Sequence, residues 1–488
     1  MFTLKKRVQG IRSGVLKNNG RMASTPCFFA TNNFGGGGTN VARLYLYSDL
    51  MVGTNIQLLL NYYYIDINSD LKNRFDTGLV RQFSAMKDIR DLFPVIKKTY
   101  IERERIDLPR KYSVSESPWR PLILLDSGSG NILRDLIQKH KITQQTYRQQ
   151  YVDIVDNFLS FIETHEFDVG IAIDFAKKNT LKDGEMKDKN YLNELTFYCS
   201  RNFELLDVTL QQIKQKYSKI NLFVPLHGDS VEEYVGYLKK VHQLEEKENV
   251  WFAGFAIGGL GNPKIINGER WGIPSGVNAR VKGALYLYKL CSAIRRELDA
   301  QNDDRPIHVL GAASQYNLLP LIVAGVDTFD CHSTWRRASD GNEASKQIVL
   351  QSIKKGAEDV SISTDKSISK MLVPLLDKKG EPIAANADNY LEFVDLHKLS
   401  PRNFSCNCRV CEKFSLNAIK ELYSGTPEEN YFAKILIYIH GIVQYELICD
   451  RLSRIKSGVE ITSFIKSIPN SRYSTDMAQF LSYSVKVF

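Results

Sequence analysis

A carboxylate followed by two arginines ends one of the apolar segments of this chain. Residues 325–337 read Gly-Val-Asp-Thr-Phe-Asp-Cys-His-Ser-Thr-Trp-Arg-Arg, so Arg336 and Arg337 follow Asp330 by six and seven residues. A carboxylate at the end of a buried strand, with cations just beyond it, suits a nucleophile that acts beside a phosphodiester. The same spacing also suits an aspartate that caps the next helix. The elements around this stretch must decide between the two interpretations.

Short apolar segments alternate with helix-like segments along most of the chain. Eight of them have the near-continuous hydrophobic character of parallel strands buried on both faces: 26–31, 56–65, 120–126, 168–174, 220–227, 251–258, 306–311 and 325–330. The clearest helix-like segments are 144–164, 203–217, 230–247 and 278–299. This alternation predicts an α/β fold, a (β/α)8 TIM barrel, with a doubly wound sheet as the second choice.

Polar residues and glycines follow several of these predicted strands. A barrel places its active site at the carboxyl ends of its strands, and here those ends carry Asp126-Ser127-Gly128, Asp174, His227-Gly228, Gly258-Gly259-Leu260, Gly311 and Asp330. Each residue alone is compatible with a helix cap, a buried histidine or a turn. Their coincidence on one rim predicts a catalytic site there.

The composition is that of a soluble globular protein, with 43% hydrophobic and 24% charged residues. No apolar run reaches the roughly 18 residues that a membrane helix needs, so no membrane partner is expected. The net charge is +9, and residues 1–24 contain six basic residues and no acid: Lys5, Lys6, Arg7, Arg12, Lys17 and Arg21. We expect this segment to be a disordered basic tail, or to precede a start at Met22, and a transit peptide is the weaker interpretation. Elsewhere the mild positive charge predicts local phosphate-binding patches.

Three cysteines are crowded into Cys406-Asn-Cys408-Arg-Val-Cys411, and His440 follows 29 residues after the last of them. Three thiolates and an imidazole form a closed tetrahedral set, which is the usual arrangement of structural zinc. The alternative is a group of reduced cysteines and an unrelated histidine in a helix over residues 430–453. Eight cysteines in 488 residues favour metal binding over a disulfide framework, so a cytoplasmic location is expected.

The predicted organisation has four parts. Residues 1–24 form the tail, and residues 25–400 form the barrel, with a long excursion after the eighth strand that includes a helical piece around 345–356. Residues 401–445 form the zinc-binding subdomain inserted after the barrel strands. Residues 446–488 form a C-terminal helical segment.

These motifs together resemble the tRNA-guanine transglycosylase superfamily, zinc-bearing barrel enzymes that exchange a guanine base for a 7-deazaguanine. The resemblance covers roughly residues 115–445. It rests on Asp126-Ser127-Gly128, Gly258-Gly259-Leu260, residues 325–331 and the Cys-x-Cys-x-x-Cys…His set. It implies a pentosyltransferase whose cofactor is a structural Zn²⁺.

The resemblance also implies roles for individual residues. Asp330 matches the family's nucleophile, which attacks the anomeric carbon of the sugar, and Asp126 matches its general acid/base. Asp174 matches a carboxylate that accepts hydrogen bonds from the guanine edge. The substrate-contacting positions implied by the same matches are Ser127, Asp174, His227, Gly259, Leu260, Leu310, Arg336 and Arg337.

The chain departs from the family at the base and nucleic-acid contacts. Ser129-Gly130-Asn131 stands where the family has Gly-aromatic-Gln, and His227 replaces a glutamine that reads the purine. Thr334-Trp335-Arg336 replaces Pro-Thr-Arg after the nucleophile. Both catalytic aspartates are retained, which is the behaviour expected if the chemistry were kept and the polymer substrate changed.

A divergent branch of the superfamily inserts 7-cyano-7-deazaguanine into DNA. Residues 28–33, residues 60–64 and His227-Gly228 resemble that branch, so guanine exchange in DNA is the expected function. The alternatives are the same reaction on tRNA, giving queuosine- or archaeosine-type bases, and a non-catalytic nucleic-acid-binding subunit. An unrelated aldolase-like barrel is set aside, since no Schiff-base lysine ends a strand. A homodimer and accessory modification proteins are further expected partners.

Overall fold

A closed barrel of eight parallel strands forms the centre of the molecule. The structure is a computed structural model that describes residues 1–8, 10–32, 50–51, 53–67, 119–139, 141–175, 189–258, 273, 277–331, 333–338, 369–425 and 427–484. Within the described chain, the barrel strands are β4 (Cys27–Asn32), β5 (Gln57–Asn61), β6 (Ile123–Asp126), β7 (Val169–Ile171), β8 (Leu222–Leu226), β9 (Gly254–Ile257), β10 (Ile307–Val309) and β11 (Thr328–Asp330). Each strand pairs with the next in sequence, and β11 closes the barrel against β4. The predicted (β/α)8 TIM barrel is confirmed.

Successive residues of the barrel strands alternate between two apolar clusters. Cys27, Phe29, Leu59 and Leu124 belong to a cluster inside the barrel. Their neighbours, such as Phe28, pack outward against the surrounding helices. Because side chains alternate with a period of two along a strand, this pattern identifies the inward-facing position of every strand.

Helices surround the barrel and pack their apolar faces on its outer side. The four predicted helices are confirmed, with bounds Tyr147–Thr164, Asn202–Gln215, Val231–Glu248 and Ala279–Ala300. The remaining α-helices described between Tyr62 and Ala338 are Tyr62–Asp66, Ser129–Gln138, Lys189–Ser200, Leu318–Val323 and Ser333–Ala338. The helical piece expected around 345–356 lies outside the described residues.

Residues 1–24 were expected to be disordered, and this prediction is wrong. They form a three-stranded antiparallel sheet of β1 (Phe2–Val8), β2 (Ile11–Asn18) and β3 (Arg21–Thr25). Leu16 and Ala23 of this sheet pack into the cluster inside the barrel. The sheet therefore covers the amino ends of the barrel strands, opposite the predicted site.

Two buried ion pairs hold this sheet to the barrel. Arg12 Nε donates to Asp327 Oδ1 at 3.1 Å, and Arg21 donates to Asp168. Asp327 also accepts from the amide of Ile307, and Asp168 accepts from the amide of Ile123. Each aspartate directly precedes a barrel strand, so each links the sheet to the start of two neighbouring strands.

A subdomain rich in turns and helices follows the barrel. It contains a two-stranded antiparallel sheet, β12 (Lys370–Leu372) and β13 (Phe393–Asp395), and the 3-10 helices Ala384–Asn389 and Leu396–Lys398. Its α-helices are Arg409–Lys413, Leu416–Tyr423, Pro427–Ser453, Gly458–Ser467 and Arg472–Ser484. The helix Pro427–Ser453 runs across the domain boundary expected at 445/446, so that boundary does not fall between elements.

This long helix bears on the question of membrane helices. Its segment Phe432–Ser453 is long and apolar enough to cross a membrane by length and composition, with a mean hydropathy of 1.4. In the fold, 83% of the apolar stretch within this segment is buried inside the protein. The helix packs against β4, β12 and the helix Ser333–Ala338, as the core helix of a domain does.

Candidate active site and metal centre

Polar side chains take over the inward-facing positions at the carboxyl end of the barrel. Thr31 follows Phe29 by two residues, Asn61 follows Leu59, and Asp126 follows Leu124. On β11, which pairs with β4, Phe329 faces outward, so Thr328 and Asp330 face inward. The same alternation places His308 and Leu310 inside, on either side of the outward-facing Val309. The apolar interior thus ends in a layer of hydroxyl, amide, imidazole and carboxylate groups.

Asp330 lies at the end of β11, only 5% exposed, and three neighbouring groups contact its carboxylate. Oδ1 accepts from the Gly311 amide at 2.9 Å and lies 3.3 Å from His308 Nε2. Oδ2 accepts from the Thr31 hydroxyl at 3.2 Å. Gly311 has a φ of +66°, a left-handed conformation that glycine adopts at no steric cost. These contacts orient the carboxylate toward the barrel mouth and do not resemble a helix cap.

Asp126 ends β6 and faces the same space. Burial raises the pKa of its carboxyl to about 6, and the negative charges of Asp330 and Asp174 act in the same direction. Hydrogen bonds from the Gly128 amide and from Asn61, whose Nδ2 lies 2.6 Å from Asp126 Oδ2, oppose this shift. A carboxyl with this pKa can both hold and release a proton near neutral pH, which a general acid/base requires.

Gly128 lets the backbone turn sharply directly after Asp126. Its φ is +69°, and a Cβ there would lie 2.7 Å from Tyr63 Cβ and 2.8 Å from Asn61 Oδ1. A larger residue would therefore displace both the turn and the amide side chain that contacts Asp126. The glycine of the Asp-Ser-Gly motif is explained by this close approach.

Asp174 and His227 form the opposite wall of the site. His227 Nε2 lies 2.6 Å from Asp174 Oδ2, although the angles are not those of a hydrogen bond. The ring of Tyr237 meets His227 edge-on at 5.5 Å. The Asp174 amide donates to Ser129 Oγ at 3.0 Å, and Ser129 Oγ lies 2.6 Å from Ser127 Oγ. The two serines thus connect the loop after β6 to the one after β7.

The other sequence-predicted positions fall in three groups. Leu310 is half-buried and packs against the cluster inside the barrel. Arg337 is exposed on the helix Ser333–Ala338, with its guanidinium 6.0 Å from the Phe393 ring. Gly259, Leu260 and the side chain of Arg336 lie outside the described residues.

Three residues that contact Asp126 or Asp330 were not predicted from the sequence: Thr31, Asn61 and His308. Each lies on a predicted strand, at a position whose side chain faces the inside of the barrel. The signal that could have found them is a polar residue at an inward-facing position of an otherwise apolar strand. That signal becomes specific only when the register of neighbouring strands is known.

The predicted metal ligands converge beside the barrel. Cys406, Cys408, Cys411 and His440 bring their ligand atoms within 4.8 Å of one another. His440 Nδ1 lies 3.8, 3.4 and 3.4 Å from the three sulfurs, in that order. A tetrahedral zinc ion, with bonds of about 2.3 Å to sulfur and about 2.0 Å to nitrogen, separates its ligand atoms by roughly 3.6 Å. The residues therefore fit a metal ion of this kind.

Surrounding groups orient the ligands. His440 Nε2 donates to the Leu372 carbonyl at 2.7 Å, which leaves Nδ1 as the ligand atom. The Cys408 amide and Gln444 Nε2 lie 3.4 and 3.6 Å from Cys406 Sγ. All four ligand positions come from the protein, so an ion held here would stabilise the fold and leave no position open for a substrate.

The comparisons with known proteins agree with this geometry. No curated protein matches the chain. The family model described as queuine tRNA-ribosyltransferase matches residues 118–468, well over half of the 488 residues. Members of this family are pentosyltransferases that exchange guanine, and the match includes Asp126, Asp330 and all four metal ligands. The chain belongs to the queuine tRNA-ribosyltransferase family.

Proposed function

We propose that this protein is a transglycosylase that exchanges guanine in DNA for 7-cyano-7-deazaguanine. The observation that carries the proposal is the pairing of two unlike carboxyl groups at one barrel mouth. Asp330 is buried and oriented by three contacts, whereas burial and the neighbouring carboxylates raise the pKa of Asp126 to about 6. One group is suited to attack a sugar carbon, and the other is suited to carry a proton.

The first half of the exchange removes guanine. Asp330 Oδ2 forms a bond to the anomeric carbon of the sugar while the bond from that carbon to the base breaks. The electron pair of the broken bond leaves with the base, and Asp126 supplies the proton that the base takes up. The proposed intermediate is an ester between Asp330 and the sugar.

The second half reverses these steps with the incoming base. Asp126, now ionised, accepts the ring-nitrogen proton of the deazaguanine, and that nitrogen attacks the anomeric carbon. The Asp330 carboxylate is released unchanged. Asp174 and His227 face this space, where they would read the hydrogen-bonding edge of either base.

The choice of DNA rests on where the chain departs from its family. The aromatic-glutamine pair after Asp126 is absent, and His227 replaces a base-reading glutamine. The segments that resemble the DNA-acting branch contain Thr31 and Asn61, which contact the two catalytic aspartates. A base within duplex DNA would have to be flipped out of the stack to reach this site. We place the reaction in the cytoplasm, without a membrane partner.

The experiment that tests the proposal offers labelled 7-cyano-7-deazaguanine with duplex DNA, single-stranded DNA and tRNA in parallel. We expect the label to enter DNA with the wild-type protein. Asp330→Asn should abolish both incorporation and the covalent adduct while circular dichroism and the unfolding midpoint stay unchanged. Normal turnover by this variant would overturn the nucleophile assignment, and label in none of the polymers would overturn the proposed activity.

A second candidate is the same exchange on tRNA, favoured by the description of the matching family. The catalytic steps would be identical, since contacts to phosphate do not distinguish the two sugars unless a 2′-hydroxyl is read. Label that enters tRNA and neither form of DNA would establish this candidate. The non-catalytic subunit is disfavoured by the retention of both Asp126 and Asp330.

A further inference from the structure

A histidine inside the barrel contacts the predicted nucleophile directly. His308 lies on β10 beside Thr328 of β11, since the two residues are register partners in the parallel pair. Its side chain has no exposed surface. Nε2 lies 3.3 Å from Asp330 Oδ1, and Nδ1 lies 2.9 Å from Thr328 Oγ1. The ring is thus placed between a hydroxyl and a carboxylate.

The neighbours of His308 restrict its tautomer. A carboxylate accepts hydrogen bonds only, so the nitrogen that faces Asp330 must carry a hydrogen. The Thr328 hydroxyl can donate to Nδ1, which leaves the proton of a neutral ring on Nε2. The arrangement therefore favours the tautomer with hydrogen on Nε2.

The two oxygens of Asp330 have different environments. Oδ1 receives the Gly311 amide at 2.9 Å and faces His308 Nε2. Oδ2 receives the Thr31 hydroxyl at 3.2 Å and faces no second donor among the described residues. Hydrogen bonds withdraw charge from the oxygen that accepts them and fix its position. Oδ2 is consequently the oxygen with a lone pair available for attack.

We propose that His308, held as the Nε2–H tautomer by Thr328, is a positioning residue that occupies Asp330 Oδ1 and presents Oδ2 to the sugar. This inference rests on the proposed function, in which Asp330 is the nucleophile. The Nε2–H group fixes Oδ1, and the proton transfers of the exchange are left to Asp126.

Packing helps to hold the imidazole in this orientation. The edge of the Phe29 ring meets it at 5.6 Å with an interplanar angle of 87°. Phe29 belongs to the cluster inside the barrel, so the histidine closes the top of that apolar interior. This contact with the apolar interior limits the movement of the ring beside Asp330.

Three variants separate the hydrogen bond from the packing. His308→Leu fills much of the volume without a donor, and His308→Gln places an amide hydrogen near the position of Nε2. Thr328→Val keeps the shape of threonine and removes the hydroxyl. His165→Leu is the matched control, because His165 is also a buried histidine but lies in the turn before β7, at the opposite end of the barrel.

The first readout is the rate of covalent adduct formation in a single turnover, together with the KM for the incoming base. We expect His308→Leu to lower the rate about 10²-fold without changing that KM, since removal of one preorganised donor has effects of this order. His308→Gln should recover most of the rate, to within about tenfold of wild type. A His308→Leu rate within about threefold of wild type, or a loss equal to that of His165→Leu, would overturn the positioning role.

The second readout does not depend on turnover. In protein labelled with ¹⁵N-histidine, the resonances missing from His308→Gln identify His308 among the eight histidines. We expect the shifts of the Nε2–H tautomer in the wild-type protein and a change of tautomer in Thr328→Val. An Nδ1–H tautomer or an imidazolium in the wild-type protein would overturn the inference. If the wild-type protein labels no polymer, the proposed function fails, and this spectrum still decides the state of His308.

Discussion

The two aspartates at the barrel mouth, Asp330 and Asp126, differ because their neighbours differ. Asp330 is surrounded by a backbone amide, a hydroxyl and an imidazole, all of which approach its carboxylate oxygens. Asp126 receives hydrogen bonds from Gly128 and Asn61 but is buried beside two other carboxylates. The burial and the nearby charge outweigh the hydrogen bonds, so its pKa rises to about 6. Identical side chains thereby acquire different properties, which suit the proposed roles of nucleophile and acid/base.

The raised pKa of Asp126 predicts a pH dependence of guanine release. Asp126 must be protonated to act as the acid, so adduct formation should be fastest below about pH 6 and fall as the pH rises through that value. Because the Asn61 amide lowers this pKa, Asn61→Ser should raise it and shift the decline to higher pH. The serine keeps an oxygen that can cap the helix Tyr62–Asp66, which begins directly after Asn61.

Single-turnover rates across the pH range measure this shift. Asn18→Ser is the control, because Asn18 lies on β2 at the opposite end of the barrel and donates to the Asp168 carbonyl. Its profile should match that of the wild-type protein. A wild-type profile that declines near the ordinary carboxyl pKa of about 4 would contradict the assignment of Asp126 as the acid.

The strand ends position the aspartates, and one long helix positions the predicted metal ligand His440. Parallel strands carry the aspartates to the same rim, and the helix Pro427–Ser453 carries His440 to the cysteines. The same helix packs on β4 and on the helix Ser333–Ala338 that follows Asp330. Gly441 makes this approach close, since a Cβ there would lie 3.1 Å from Thr334 Cγ2. A metal ion held by these ligands would therefore brace the helix that follows Asp330 in the chain.

Loss of a metal ligand should lower metal content and stability together. Cys408→Ser removes the most buried of the three thiolates, and we expect substoichiometric zinc with a lower melting temperature. Elemental analysis and thermal unfolding measure the two effects. Cys449→Ala is the control. Cys449 is a buried free thiol on the helix that carries His440, and it lies outside the ligand set. Stoichiometric zinc in Cys408→Ser would show that the ligand set is wrong.

We expect Arg337 to contact a phosphate of the nucleic acid near Asp330. It is exposed on the helix that follows β11, within seven residues of Asp330. Arg337→Ala should weaken binding of all sequences similarly and reduce the slope of log K against log salt by about 0.9, the contribution of one phosphate contact. Arg7→Ala, at the far end of the barrel, should leave the slope unchanged. An unchanged slope in Arg337→Ala would exclude that contact.

The N-terminal sheet covers the amino end of the barrel. Its arginines do not form a free basic arm, because Arg12 and Arg21 are buried against Asp327 and Asp168. Arg295 also approaches Asp327, at 3.4 Å. Two of the six basic residues of the segment 1–24 are therefore buried against carboxylates that hold the sheet in place, and they are not available to an anionic partner.

Removal of the buried Arg12 should destabilise the whole fold. Arg12→Ala leaves the Asp327 carboxylate buried with one fewer cation, and loss of one partner of a buried pair costs about 3–5 kcal/mol. Urea unfolding measures the free energy. Arg7→Ala is the matched control, because Arg7 pairs with Asp299 at the surface and such pairs contribute about 0–1 kcal/mol. Equal effects of the two substitutions would contradict the structural role of Arg12.

Much of the architecture followed from local patterns in the sequence. The eight barrel strands and four of the helices were predicted because hydrophobic periodicity is a property of neighbouring residues. Asp126, Asp174 and Asp330 were recognised because active sites of this fold lie at the strand ends. The metal ligands were recognised because three cysteines within six residues of one another leave few other interpretations.

The tertiary structure decided the rest, because the deciding contacts join residues far apart in the chain. Thr31 and Asp330 are 299 positions apart, and Arg12 and Asp327 are 315 apart. Whether Thr31, Asn61 and His308 reach the aspartates depends on strand register and barrel closure, which no local pattern specifies. The sequence of residues 1–24 predicted a free basic tail because the contacts that bury Arg12 and Arg21 also join residues far apart in the chain. Only the folded molecule supplies the burial and the neighbouring charges that distinguish Asp126 from Asp330.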